Sequence, residues 1–237
     1  MLTEEEERRF VGCGSGDPQA DVPLAWELLY RLEPELYDRL ASAEVLHPGV
    51  LAWLPDSVDR VVEVGAGTGR LTLELVRRAR EVVAIEPASP LRDILSRKLA
   101  RAAQGCRADV TPGFFDELPV GDDCAELVVA CSAFTPAWGH GGEAGLAEME
   151  RVCAPGGLVV IVWPNNVSWL EAHGYGYVSF AGEMFVEFGS VQDAAELSEI
   201  FYPKAAAEVM RCGLRRVSYE MLGINPPRDL SFKVMAE

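Results

Sequence analysis

Three glycines at alternate positions, Gly65, Gly67 and Gly69, follow closely behind an acid, Glu63. They lie between the β-branched run Arg60-Val61-Val62-Glu63-Val64 and a segment in which Leu71 and Leu75 recur at helical spacing. The run reads as a buried parallel strand. The segment after it reads as an amphipathic helix, with Glu74 and Arg78 paired on its outer side. The glycines then form a strand-to-helix turn, where a ligand can approach the backbone and meet free N–H groups. A second apolar strand, Val82-Val83-Ala84-Ile85, ends in Glu86, about 20 residues beyond the first glycine. A βαβ unit places a carboxylate there to accept both hydroxyls of a bound ribose.

The elements that must hold this turn alternate regularly. A helix after Ser89-Pro90 carries Leu91, Ile94, Leu95 and Leu99 on one face, and residues 107–111 read as a third strand. Residues 125–130 form a fourth strand, 143–153 a helix, and 158–163 a fifth strand after Pro155-Gly156-Gly157. The chain ends in a helix over 203–212 and two strands, 215–221 and 230–236, whose short connection predicts an antiparallel hairpin. The fold expected is α/β: a doubly wound seven-stranded sheet of five parallel strands plus an antiparallel C-terminal hairpin. Residues 1–55 are expected to form an N-terminal helical cap, broken at Pro34 and Pro48, and 56–237 one globular unit. Thr3 and Glu6 suggest a capping box, and residues 12–21 a loop.

A dinucleotide fingerprint would need glycine at position 70, which is arginine. The stretch Val62-Glu63-Val64-Gly65-Ala66-Gly67-Thr68-Gly69 resembles instead the first motif of the class I S-adenosylmethionine (SAM) methyltransferases. Val83-Ala84-Ile85-Glu86-Pro87 resembles the second motif, residues 126–134 the fourth, and Ala154-Pro155-Gly156-Gly157-Leu158 the turn before strand five. The resemblance implies S-adenosyl-L-methionine as cofactor and a small molecule as acceptor, as in the quinone-biosynthesis and natural-product branches. It implies cofactor contacts at Glu63, Gly65, Ala66, Gly67, Gly69 and Glu86. Cys131 and Ser132 would border the methionine end, and Tyr37 would close over the cofactor from the cap. In many relatives an Asp contacts adenine where this chain has Phe114, so that contact passes to Phe115 and Asp116.

Methyl transfer to a hydroxyl, the acceptor favoured here, needs a base. His140 and His173 lie on loops after strands four and five, where ligands bind, and are the catalytic candidates, with Glu143 and Tyr175 in reserve. His47 reads as a helix-end residue. Trp138, Trp163 and Trp169 could wall a pocket at that edge or belong to the core. Asn225-Pro226-Pro227 reads as a turn. Two alternatives stay open: an enzyme that uses SAM without methyl transfer, and a non-catalytic subunit of the same fold. A dinucleotide-dependent dehydrogenase is disfavoured by Arg70 and the C-terminal hairpin.

Composition narrows the partners. Against 21 basic residues stand 37 acidic ones, a net charge of −16, which disfavours nucleic acid and anionic membranes. No apolar run is long enough to span a membrane. The acidic start Thr3-Glu4-Glu5-Glu6-Glu7 is unlike a signal peptide, so a cytoplasmic protein is expected, monomeric or homodimeric. Six cysteines without Cys-x-x-Cys spacing and three histidines predict reduced thiols and no metal.

Overall fold

The computed structural model describes residues 22–102, 105–137 and 141–237. The capping box at Thr3–Glu6, the loop 12–21, Trp138 and His140 lie outside the described residues. Three helices come first: α1 (Val22–Leu32), α2 (Pro34–Ala43) and α3 (Pro48–Trp53). Each later helix start carries proline in the first turn, where its missing N–H costs nothing. His47 caps α3, accepting at Nδ1 from Gly49 N at 2.9 Å.

A seven-stranded sheet follows. Its strands are β1 (Val58–Val64), β2 (Ala79–Ile85), β3 (Arg107–Thr111), β4 (Ala125–Cys131), β5 (Cys153–Val162), β6 (Gly176–Ser179) and β9 (Asp229–Val234). They run in the order β3-β2-β1-β4-β5-β9-β6. The first five are mutually parallel, and β9 runs against both β5 and β6. Consecutive residues of β1 are buried because both faces of the sheet are covered. Val61 joins a core with Val82, Leu95, Leu127 and Val160, and Val62 joins the opposite one with Val83, Val128, Met149 and Ile161. Helix α5 (Ser89–Ala102) covers the first face, and α6 (Gly142–Val152) with α7 (Val167–Ala172) covers the second.

Two local expectations change. The helix after the glycines, α4, is one turn (Thr72–Leu75), because β2 already begins at Ala79, paired with Val58. Glu74 consequently meets Arg77 at 2.6 Å, while Arg78 turns to Asp56 at 3.1 Å. The antiparallel pair that closes the sheet is also built from other segments. Only residues 216–218 of the stretch 215–221 are extended (β8), and they pair with β7 (Phe185–Glu187) in a separate two-stranded sheet. The outer partner of β9 is β6, four residues long. Around the small sheet, α8 (Val191–Phe201), α9 (Ala206–Cys212) and α10 (Tyr219–Leu222) form a third core with Leu40 and Ala43 of α2. Among the described residues no helix is long and apolar enough to cross a membrane.

Candidate functional site

The glycine turn leaves the carboxyl end of β1 and is clamped by β2. Gly65 N and Ala66 N both donate to the Ile85 carbonyl, at 2.9 and 3.0 Å. The next residue, Glu86, completes the clamp: its Oε2 accepts from Gly67 N at 2.9 Å and its Oε1 from Ala88 N at 2.8 Å. Each carboxylate oxygen retains a second lone pair. Burial pushes the Glu86 carboxyl up to about 7, against the pull of the two backbone donors. The spacing that points to a ribose acid thus also identifies the residue that shapes the turn.

Glu63 lies beneath the turn, 1% exposed. Its Oε2 has no hydrogen-bond partner. Burial pushes this carboxyl up to about 8, with Thr72 drawing it down and Glu86 adding to the rise. An orphaned carboxylate oxygen in such a place suits a cation. At Gly65, with φ +73°, a Cβ would come within 2.5 Å of Ala133 Cβ. At Gly67, with φ +56°, it would point at the Tyr37 hydroxyl, 3.3 Å away.

Tyr37 therefore sits over the turn. Its ring packs edge-on against Tyr30 at 4.7 Å and against Trp26 at 6.3 Å. Arg70, the residue that breaks the dinucleotide fingerprint, fastens this cap. Its guanidinium pairs with Glu44 at 2.5 Å and donates to the Ala41 carbonyl at 3.2 Å, with both side chains largely buried. Glu44 also accepts from the Tyr202 hydroxyl at 2.7 Å. Arg70 lies 5.4 Å from the centre of the Trp163 ring.

Two residues at this edge hold left-handed backbone: Ser132, φ +56°, just after β4, and Trp163, φ +55°, just after β5. Such a conformation in a bulky residue persists only where its surroundings enforce it. Cys131 is half-buried beside Arg70, its thiol pushed up to about 12 by burial. Ser132 N donates to the Val162 carbonyl at 3.0 Å.

On the other side of the turn the Phe115 ring lies 3.4 Å from where a Gly65 Cβ would be. Phe115 and Asp116 line a groove of about 290 Å³ with Pro136, Gly141, Gly142 and Glu143. The fold thus gathers Tyr37, Glu63, the glycines, Glu86, Phe115 and Cys131 around one turn.

His173 is differently occupied. Its Nδ1 donates to the Trp169 carbonyl at 2.7 Å and its Nε2 to the Glu143 carboxylate at 2.9 and 3.0 Å. Both ring nitrogens are thus engaged by protein acceptors, and neither is left free toward a substrate. The Trp169 carbonyl and then Glu143 raise its pKa. In this arrangement the ring of His173 links the end of α7 to Glu143 of α6. Glu143 is engaged by the same contact, and the Tyr175 hydroxyl donates to Glu150 at 3.2 Å. The Trp169 ring lies tilted against His173, centroids 4.0 Å apart, and packs against Phe134.

One residue at the carboxyl edge gave no signal in the sequence: Tyr219. It is 2% exposed, and its hydroxyl has no hydrogen-bond partner. It packs edge-on against Trp163 at 6.3 Å. A single tyrosine in the stretch 215–221, read in the sequence as a strand, has no spacing that marks it. Among the described residues no group of three His, Cys, Asp or Glu could hold a metal.

A doubly wound sheet with a glycine turn at its switch point, and acids near the ends of its first two strands, places these residues where open α/β sheets bind their ligands. Comparison with known proteins narrows this. Residues 61–157 match the methyltransferase domain family. An uncharacterised methyltransferase of Mycobacterium tuberculosis strain H37Rv is 32% identical over 156 residues, which cover 65% of this chain and 58% of that relative's length. A chain from the complex between the Haloferax volcanii Trm112 methyltransferase activator and a methyltransferase superposes with a TM-score of 0.56 at 16% identity. That match covers 88% of this chain and 96% of the other. The SAM-dependent O-methyltransferase from Thermotoga maritima gives 0.54 at 11% identity, covering 82% and 67%. At such identities the two structures speak for the fold alone. The stretch 61–157 is thus similar to a methyltransferase domain, and the chain spans little more than half the length of the curated relative it matches.

Proposed function

We propose that this protein transfers a methyl group from SAM to an oxygen atom of a small-molecule acceptor. The observation that carries the reading is Glu63, a buried acid with an orphaned oxygen under a glycine turn. SAM supplies an electrophilic methyl carbon on a positively charged sulfur. Glu63 would balance the cofactor's ammonium, and Glu86 would offer its remaining lone pairs to the ribose. Gly65, Ala66, Gly67 and Gly69 would let the backbone approach, and Phe115 with Asp116 would flank the adenine. Cys131 and Ser132 would border the methionine end, with Tyr37 closing from above. Much of catalysis is then positioning of collinear groups in a dry site.

The same reading divides the chain into a cap, 1–55, and a cofactor-binding unit, 56–237. It includes a cytoplasmic setting and a monomer or homodimer. Small neutral or cationic acceptors, rather than nucleic acid or membrane surfaces, accord with the net charge of −16. His140 remains the histidine candidate for a base, since His173 has both nitrogens engaged.

Calorimetric titration with S-adenosylhomocysteine, followed by a screen of metabolites for its release from SAM, tests the proposal. Glu86→Ala should weaken binding about tenfold or more, the worth of one charge-assisted hydrogen bond. Unchanged affinity in a folded Glu86→Ala protein overturns the cofactor assignment.

A further inference from the structure

The Tyr219 hydroxyl is one of eight buried side-chain polar atoms without a partner among the described residues, and the one that belongs to a phenol. Leaving a hydroxyl so placed costs about 1–3 kcal/mol, so it marks either strain or a ligand's place. Its mounting is rigid. Ser218 caps the short helix α10 by accepting from Met221 N at 3.2 Å. Tyr219 N donates to the Met184 carbonyl at 3.2 Å, and Ile224 N donates to the Tyr219 carbonyl at 3.3 Å. The small sheet β7–β8 thus delivers this ring to the carboxyl edge of the large sheet.

The groups it meets there are chemically specific. The Trp163 ring stands at 86° to it, on a left-handed backbone held by Trp163 N donating to the Asp229 carbonyl at 2.9 Å. Arg70 lies 5.4 Å from the centre of the same Trp163 ring. Arg70, Glu44 and Cys131 are close enough to act electrostatically on the Tyr219 hydroxyl. Glu44 is already engaged by Arg70 and Tyr202.

We propose that Tyr219 and Trp163 form the acceptor subsite, and that the acceptor is a planar hydroxylated ring, a phenol or enol, whose oxygen takes the Tyr219 O–H. The inference rests on the methyl-transfer reading and gives it a substrate class. Trp163 offers an aromatic wall to a flat apolar body. Burial, then Glu44, hold the Tyr219 phenol well above its ordinary range, so it stays protonated and acts as a donor, not a base. An O–H donated to an acceptor oxygen favours that oxygen's ionised form. The acceptor's proton then leaves to water as it binds. In the transfer, a lone pair of that oxygen forms the O–C bond to the methyl. The C–S bond breaks, and its pair stays on sulfur as a neutral thioether. A phenolate prepared in this way needs no histidine.

The probe is 4-nitrophenol, whose phenolate is yellow, added to protein saturated with S-adenosylhomocysteine at a pH where the free probe is mostly neutral. The wild type should bind it as phenolate, read as a gain of yellow absorbance. Tyr219→Phe should reduce bound phenolate about tenfold, the worth of one hydrogen bond to a charged group, while its affinity for S-adenosylhomocysteine stays unchanged. Trp163→Phe should weaken the probe with a smaller change in its ionisation. An unaltered probe spectrum with the loaded wild type overturns the inference, and so does a full phenolate signal in Tyr219→Phe. Failure of the wild type to bind S-adenosylhomocysteine overturns the methyl-transfer reading itself, and this inference with it.

Discussion

Glu63 holds its proton near neutral pH because it is buried, with Glu86 adding to the effect. Its carboxyl rises from 4.5 to about 8. A folded-state value above the unfolded one contributes stability that is full below the unfolded value and lost as pH rises through the folded value. The ligand-free protein should therefore lose melting temperature as pH climbs from about 5 to above 8. Glu63→Gln, which carries no charge to bury, should flatten that slope and melt higher than wild type above pH 8. Scanning calorimetry across pH checks this. An arriving ammonium reverses the balance, because it favours the ionised acid. Binding of S-adenosylhomocysteine near neutral pH should then release a proton from Glu63. Titrations in buffers of different ionisation enthalpy would read that release, and it should vanish in Glu63→Gln. Glu86 behaves otherwise under the same substitution. Its two oxygens both accept from backbone N–H groups, so the amide of Glu86→Gln would face one donor with another and loosen the turn.

Elements differ in what they tolerate. The turn between β1 and α4 contains glycines that are not equivalent. A Cβ at Gly65 meets another Cβ at 2.5 Å, inside the body of the protein, whereas one at Gly67 meets the end of Tyr37 at 3.3 Å. Both also carry the left-handed penalty of about 1–2 kcal/mol. Gly65→Ala should accordingly cost more stability than Gly67→Ala, measured by urea unfolding. Gly67→Val should abolish binding of S-adenosylhomocysteine while circular dichroism stays native, because the added atoms enter the space between turn and cap. The link between α6 and α7 has the pH dependence of a histidine whose pKa is raised above 6.5. Its contribution is full below 6.5 and disappears as pH passes the raised value. The melting temperatures of wild type and His173→Ala should differ most in mild acid and converge in base, with cofactor affinity alike throughout.

Across the whole molecule, one buried network ties three regions together. Glu44 ends the cap helix α2, Arg70 leaves the glycine turn, and Tyr202 follows α8 of the accessory layer. Removing one partner of a buried ion pair leaves the other charge uncompensated, at about 3–5 kcal/mol. Glu44→Ala should therefore destabilise strongly in urea titrations. Tyr202→Phe, which removes one hydroxyl, should cost about 1–2 kcal/mol. The cap, the cofactor turn and the Tyr219 layer should unfold together in wild type, and should separate into two transitions in Glu44→Ala. A single sharp transition in that variant would show that the network does not couple them.

The local signals were legible in the sequence because they are local in cause. Glycine spacing, the acids at strand ends, the β-branched runs of β1, β2 and β4, and the proline breaks of the cap all follow from neighbouring residues. So did the gathering of Glu63, Glu86 and the glycines at one turn, since a βαβ unit closes within a short stretch of chain. Three features needed the tertiary structure. The outer partner of β9 is Gly176–Ser179, too short to announce itself, because strand pairing is settled by hydrogen bonds between distant segments. His173 links α7 to α6 because Glu143, far away in the chain, meets its second nitrogen. Arg70, which in the sequence only excludes a dinucleotide, found Glu44 and Trp163 through packing. Tyr219 was brought beside them by a sheet that residue patterns did not reveal. Charge, burial and unpaired hydroxyls are properties of surroundings, and surroundings exist only once the chain has folded.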